Sequence, residues 1–225
     1  METYDNDEKT AFVMSAPADA DLLQASSWKA TNTIPGTTPV STDWEFDGKR
    51  VSELIEGNVV ATPDGKLYNI LRASSSYTSL AAGRATIVDE NTLEITAPDD
   101  LIRFPGGGKK FTIRYDEQSR RYWAITNPAS DNVAGMSHNG IYASGITENL
   151  VRNRLVLCYS TDLSTWIQYK EIVSDPDPFF HGFQYVDWMF DGEDIVAVCR
   201  MACPESRGLP VRQHDANFMT FFRIE

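Results

Sequence analysis

Glu56 and Arg72 stand at the two ends of the stretch EGNVVATPDGKLYNILR, a spacing that can bring an acid and a cation together. The apolar run Val59-Val60-Ala61 leads into a Pro63-Asp64-Gly65 turn and then into residues 67–71. Asp-Gly between two strand-like runs is the strongest short-range signal for a β-hairpin. The ends of a hairpin lie side by side. Glu56, Gly57 and Asn58, read as preceding the first strand, therefore meet Arg72, read as closing the second, at one rim of a sheet. A carboxylate held there could act as a general base, and a guanidinium could grip an anionic ligand. An exposed Glu–Arg pair contributes little by itself, so the chemistry depends on what else reaches that rim.

Composition narrows the ligand. Lys and Arg number 20 against 32 Asp and Glu, a formal net charge of −12. That balance argues against nucleic acid or an anionic membrane as partner, since phosphate binding needs a basic face. A few arginines can still form a positive pocket for a small anion. Aromatic residues make up 11% and apolar residues 42% of the chain, enough to bury the core of one large domain. No window approaches the ~18 uninterrupted apolar residues of a membrane span. The opening METYDNDEKTAF is acidic and lacks the basic-then-apolar pattern of a signal peptide. Cys158, Cys199 and Cys203 form no CxxC pair, which excludes a disulfide framework or a zinc cage as the organising feature.

The elements that would carry the candidate residues are short strands. Residues 1–10 read as a polar lead-in, 11–16 and 28–31 as strands, and 32–52 as loop-rich. After the 56–72 hairpin, residues 85–88 and 92–96 pair around Asp89-Glu90-Asn91, and FTIRY pairs with RYWAIT. Residues 128–150 are a Ser/Asn/Gly-rich insertion, of a length that is usually functional or mobile. Strands at 154–159 and 166–173 follow, then 183–190 and 194–200 across Asp191-Gly192, then 218–224. No convincing amphipathic helix is present. Short strands with turn signals at this density mean an all-β sandwich, barrel or propeller. Ser160-Thr161-Asp162-Leu163-Ser164-Thr165-Trp166 favours the propeller, with a degenerate echo at 22–28, LLQASSW. Blades of ~40–50 residues give four or five of them, whereas the strands themselves count nearer three and a half.

On these features the chain resembles the sialidase (neuraminidase, BNR-repeat) glycoside hydrolases over most of residues 52–225. The 160–166 stretch is similar to that family's S-x-D-x-G-x-T-W "Asp box", one residue short and without the glycine. The resemblance implies a six-bladed β-propeller of which roughly four blades lie in this chain. It implies a catalytic Glu before a strand pair ending in a clamp arginine, the pattern of Glu56 and Arg72. A further clamp arginine precedes the Asp box, which points to Arg152, chosen over Arg154. A nucleophilic Tyr begins a strand followed by a DG hairpin, as Tyr185 does in GFQYVDW before Asp191-Gly192. The family's first clamp arginine and general-acid Asp lie upstream of its Glu, and residues 1–51 hold no match. Arg200 stands where the family often has Glu, and the HDANF motif at 214–218 is not a general feature, so the branch is divergent.

What the resemblance implies chemically is a retaining exo-glycosidase acting on terminal, acidic sugars. Arg72 and Arg152 would grip a sugar carboxylate. Tyr185 would attack the crowded anomeric carbon after losing its proton to Glu56, an exception to the two-carboxylate rule. Asn58 and Asp187 are supporting site residues, Asp187 because alternation puts it on the face of Tyr185. Asp215 could orient His214, a candidate substitute for the missing acid, and Lys109 and Lys110 could reach the cleft. Gly106 to Gly108 read as a turn, since no helix follows to bind phosphate. Without Glu56 and the arginines, Tyr185 would read as a buried aromatic and the histidines as structural. The partner is a glycan or sugar, no cofactor is implied, and no spacing supports a metal. A secreted or periplasmic location follows from the family alone. Two other readings stay open: a non-catalytic carbohydrate-binding propeller, and a five-bladed glycosidase using three carboxylates, with Asp19 or Asp21 as the early one.

Overall fold

The computed structural model describes residues 2–5, 8–35, 44–129, 133, 135–138 and 144–225. The chain opens with short strands: β1 (Glu2–Asp5), β2 (Glu8–Ala11), β3 (Met14–Ser15), β4 (Lys29–Ala30), β5 (Ile34–Pro35), β6 (Glu45–Phe46) and β7 (Lys49–Arg50). β1, β2 and β5 form one sheet, and β3–β4 and β6–β7 are two-stranded ladders. Residues 1–10, expected as a lead-in, thus carry β1 and most of β2. The strand expected at 11–16 is divided between the end of β2 and β3.

Three antiparallel meanders follow. The first is β8 (Glu53–Ala61), β9 (Leu67–Ser74), β10 (Ala81–Ile87) and β11 (Leu93–Glu94), with β12 (Leu101–Arg103) also on β10. The second is β13 (Thr112–Asp116), β14 (Arg121–Thr126), β15 (Arg154–Ser160) and β16 (Trp166–Ser174). The third is β17 (Gly182–Asp191), β18 (Asp194–Ala202) and β19 (Phe218–Ile224).

The meanders stack because their middle sheets are apolar on both faces. Along β14, Tyr122 and Ala124 enter a core shared with Val60, Ile70 and Trp166, while Ile125 enters the next core with Leu157, Val186 and Trp188. Period-two alternation with both parities buried requires a neighbour on each face. A further core joins Ala11 and Ile34 to Leu54, Leu71 and Ala85. The leading strands of the three meanders meet edge to edge. Ile113 N–H donates to Asn58 Oδ1 at 2.6 Å, Thr112 Oγ1 to the Val186 carbonyl at 3.0 Å, and Trp188 Nε1 to the Thr112 carbonyl at 2.9 Å. The fold is all-β, with meanders stacked as propeller blades.

Candidate functional site

Two bulges make the site. The β8–β9 register passes from Ile55↔Arg72 to Asn58↔Ile70, so Glu56 and Gly57 oppose a single residue. The β17–β18 register passes from Gln184↔Arg200 to Asp187↔Val198, so Tyr185 and Val186 do the same. Glu56 has φ +50° and Tyr185 φ +52°. Among the described residues, the other non-glycine positive φ values belong to Asp47, Arg120 and Leu163, all outside the strands. A non-glycine residue held in this region costs about 1–3 kcal/mol and persists only where its surroundings enforce it. Here the enforcement includes Gly57: a Cβ there would lie 2.0 Å from Asn69 Oδ1.

This corrects the hairpin read from sequence. Glu56 lies inside β8 rather than before it, and Arg72 lies inside β9 rather than at its end. Without the bulge, alternation would govern where Glu56 points. With it, Arg72 Nη1 donates to Glu56 Oε2 at 2.7 Å, and Arg72 Nε donates to the Gly108 carbonyl at 2.9 Å. The Gly106–Gly108 turn therefore aims Arg72. Lys110 Nζ caps the Glu56 carbonyl at 3.2 Å.

Arg152 is 2% exposed, and its Nη1 donates to Gln184 Oε1 at 2.9 Å. Its guanidinium lies 6.0 Å from the Tyr185 ring centre, and that of Arg200 lies 4.8 Å from the same ring. The His214 ring stands 6.4 Å from Tyr185, with Nδ1 3.0 Å from Asp215 Oδ1. Contact with His214 holds the Asp215 carboxyl below its ordinary range, against slight burial and with help from Arg212. Glu56, Arg72, Arg152, Tyr185 and His214 thus gather at one rim. His181 is engaged elsewhere, 3.1 Å from Asp175.

Burial first, and repulsion from Arg72 second, push Arg152 down to about 10, with Tyr185 and Glu56 pulling the other way. It stays cationic at neutral pH. Burial, followed by Arg152, pushes Lys109 well below its ordinary value. Lys109 is wholly buried and donates to the Asn127 carbonyl at 2.9 Å, so it supports the rim from beneath rather than reaching into a cleft. Lys110 is also lowered, chiefly by burial, with Glu56 opposing. Arg72 pairs with the Glu56 carboxylate, Lys110 lies close to it, and Arg152 and Arg200 flank the Tyr185 ring, which makes the site electropositive on an acidic chain and suits it to an anion.

A cleft of about 490 Å³ opens beside the cluster, bordered by Asn58, Lys110, Thr112, Tyr185 and Asp187. Asn58 ties β8 to β13 through Ile113, a joining role that sequence did not suggest. Asp187 pairs with Arg114 at 3.1 Å and is largely exposed. The 185–186 bulge interrupts the alternation used to place it with Tyr185, though both residues border the cleft. Sequence missed Gln184, which is fully buried. It accepts from Arg152 and donates to the carbonyls of Gln213 at 3.1 Å and His214 at 2.6 Å. Only its place beside Tyr185 could have pointed to it.

The 160–166 turn is closed by Asp162, which accepts from Ser164 N–H at 2.8 Å and Thr165 N–H at 2.7 Å, while Trp166 Nε1 donates to the Leu163 carbonyl at 3.3 Å. The echo works similarly. Asp21 accepts from Leu23 N–H at 3.0 Å, and Trp28 Nε1 donates to the Leu22 carbonyl at 3.0 Å. Asp19 and Asp21 are both exposed, and Asp21 spends its carboxylate on that turn.

No family model and no curated protein matches the chain. Among solved structures, the chain is similar to a mutant of an α-L-arabinofuranosidase from Fusarium graminearum in complex with an iminosugar inhibitor. That match has TM-score 0.44 and 9% identity, over 76% of this chain and 44% of the other. It is also similar to the GH93 α-L-arabinofuranosidase of Fusarium graminearum with arabinobiose, at TM-score 0.45 and 9% identity, over 84% and 48%. The chain spans less than half the length of either structure.

Proposed function

We propose that the chain is a sialidase-like, retaining exo-glycoside hydrolase acting on terminal, acidic sugars. The observation that supports this reading is the pair of strained bulges, which turn Glu56 and Tyr185 toward the same arginine-rich rim. In this mechanism Arg72 and Arg152 hold the sugar carboxylate. The Tyr185 oxygen attacks the anomeric carbon and its proton passes to Glu56, which raises the phenol's nucleophilicity at neutral pH. The glycosidic C–O bond breaks, and protonated His214, oriented by Asp215, protonates the leaving oxygen. Water then attacks the glycosyl–tyrosine bond and gives its proton to His214, while Tyr185 leaves and recovers its proton from Glu56. Atoms and charges return to their starting positions.

The test is hydrolysis of an aryl sialoside and of aryl uronides by the wild-type chain, Tyr185→Phe and Glu56→Gln. We expect Tyr185→Phe to abolish turnover with unchanged circular dichroism, and Glu56→Gln to slow it at least ~10²-fold. Unchanged turnover in Tyr185→Phe removes that residue from the mechanism. Sugar binding by a wild-type chain that turns nothing over would replace the reading with a non-catalytic carbohydrate-binding propeller.

A further inference from the structure

The opposite rim of the same blades carries a second constellation. Trp123, Tyr159 and Tyr169 share one face of the β13–β16 sheet, with ring centres 5.4 Å (Trp123–Tyr159), 5.5 Å (Trp123–Tyr169) and 6.1 Å (Tyr159–Tyr169) apart. Arg121 lies over the Tyr159 ring at 4.5 Å, and Trp123 Nε1 donates to Ser119 Oγ at 3.2 Å, which fixes the indole. Tyr169 is 62% exposed. Beside these rings runs a cleft of about 450 Å³ between the last two blades, with Trp123, Tyr169 and Phe190 on its walls and Asp116, Gln118 and Glu193 at its edges. The registers place it at the far ends of the strands. Asp116↔Arg121 and Asp191↔Asp194 close hairpins here, whereas Thr112↔Ile125 and Gly182↔Ala202 lie at the Glu56 end. At ~3.3 Å per residue along β17, this rim is about 20 Å from Tyr185.

We propose that this cleft is a second, non-catalytic binding site for a neutral sugar. A sugar ring presents a face of C–H groups and an edge of hydroxyls. Aromatic faces cover the first, and carboxylate and amide oxygens accept from the second, the usual make-up of a small-ligand pocket. The Asp116 carboxylate is preset, accepting from Gln118 N–H at 3.1 Å and Ser119 N–H at 3.0 Å. Asp116 and Glu193 outnumber Lys170, which donates to the Glu225 carbonyl at 2.8 Å. This edge therefore repels the acidic sugars that the Glu56 rim attracts. The proposal does not depend on the chain being a hydrolase.

Calorimetric titration of the whole chain with maltohexaose, cellohexaose and arabinohexaose tests it, with an oligogalacturonide as the acidic counterpart. We expect at least one neutral oligosaccharide to bind. Tyr169→Ala, which removes an exposed ring, should weaken that binding at least tenfold without moving the thermal unfolding midpoint, and Tyr169→Phe should restore it. Failure of all three neutral probes to bind the wild type overturns the proposal, as does neutral-sugar binding that survives Tyr169→Ala.

Discussion

At the Glu56 rim, Arg72 pairs with the carboxylate, Arg152 and Arg200 flank Tyr185, and the backbone is forced out of regular geometry at Glu56 and Tyr185. At the Trp123 rim, about 20 Å away along the same strands, Trp123 and Tyr159 are in step on the β14–β15 ladder, while Tyr169 is the extra residue of a bulge where the β15–β16 register passes from Leu157↔Lys170 to Cys158↔Gln168. Rings paired across a ladder already share a face, so Trp123, Tyr159 and Tyr169 meet at 52° to 76° with no residue of that bulge at positive φ. Convergence of groups from β8, β9, β17 and β18 onto one point needs distortion, because alternation alone cannot aim them. Both rims carry a bulge, but only the charged one holds bulge residues, Glu56 and Tyr185, at positive φ within their strands, which ties that strain to the convergence of charge.

The comparison breaks most readily at Arg72. Arg72→Ala strips Glu56 of its partner and frees the Gly108 carbonyl, and we expect a loss of about 3 kcal/mol in urea unfolding. Arg121→Ala on the aromatic rim should stay within about 0.5 kcal/mol; similar losses at both positions would erase the distinction. Next in size is Asn58→Ala, which orphans the Ile113 N–H between two blades and should cost about 2 kcal/mol by the same measurement.

A smaller effect tests the buried cation beneath the Glu56 rim. The folded-state pKa of Lys109 lies below its ordinary 10.5, so between those values the unfolded chain binds the extra proton. Stability contributed by this group therefore rises with pH toward 10.5 and is lost as pH falls through the folded value. Lys109→Met should flatten that rise in pH-dependent unfolding. The smallest effect is ionic: raising salt above about 0.1 M should weaken acidic-sugar binding and leave neutral-sugar binding unmoved.

The hairpins were legible because turn chemistry is local. Asp64-Gly65 and Asp191-Gly192 announce their turns, and the strand read at 218–224 coincides with β19. The meeting of Glu56 and Arg72 was legible from their spacing across a hairpin, whereas Arg152 and Tyr185 joined them only through a family pattern. The bulges were not legible, since neither Glu nor Tyr favours positive φ and only Gly57 hinted at a close approach. Arg200 stood out merely as a departure. It reaches Tyr185 because the second bulge inserts an extra residue, a consequence visible only in register. The polar residues 1–10 hid β1 and β2, whose ladder pattern lies in pairing rather than in hydrophobic alternation.

The enclosed amide at Gln184 has one further consequence. Both of its hydrogens face carbonyls, of Gln213 and His214, so its oxygen can turn only to a donor, and Arg152 supplies it. That makes the side chain a polarity lock: it reports the position of the C-terminal HDANF segment directly to a guanidinium on another blade. An isosteric carboxylate at 184 would keep one oxygen on Arg152 but set the other against two carbonyl oxygens, springing the segment loose and carrying His214 away with it.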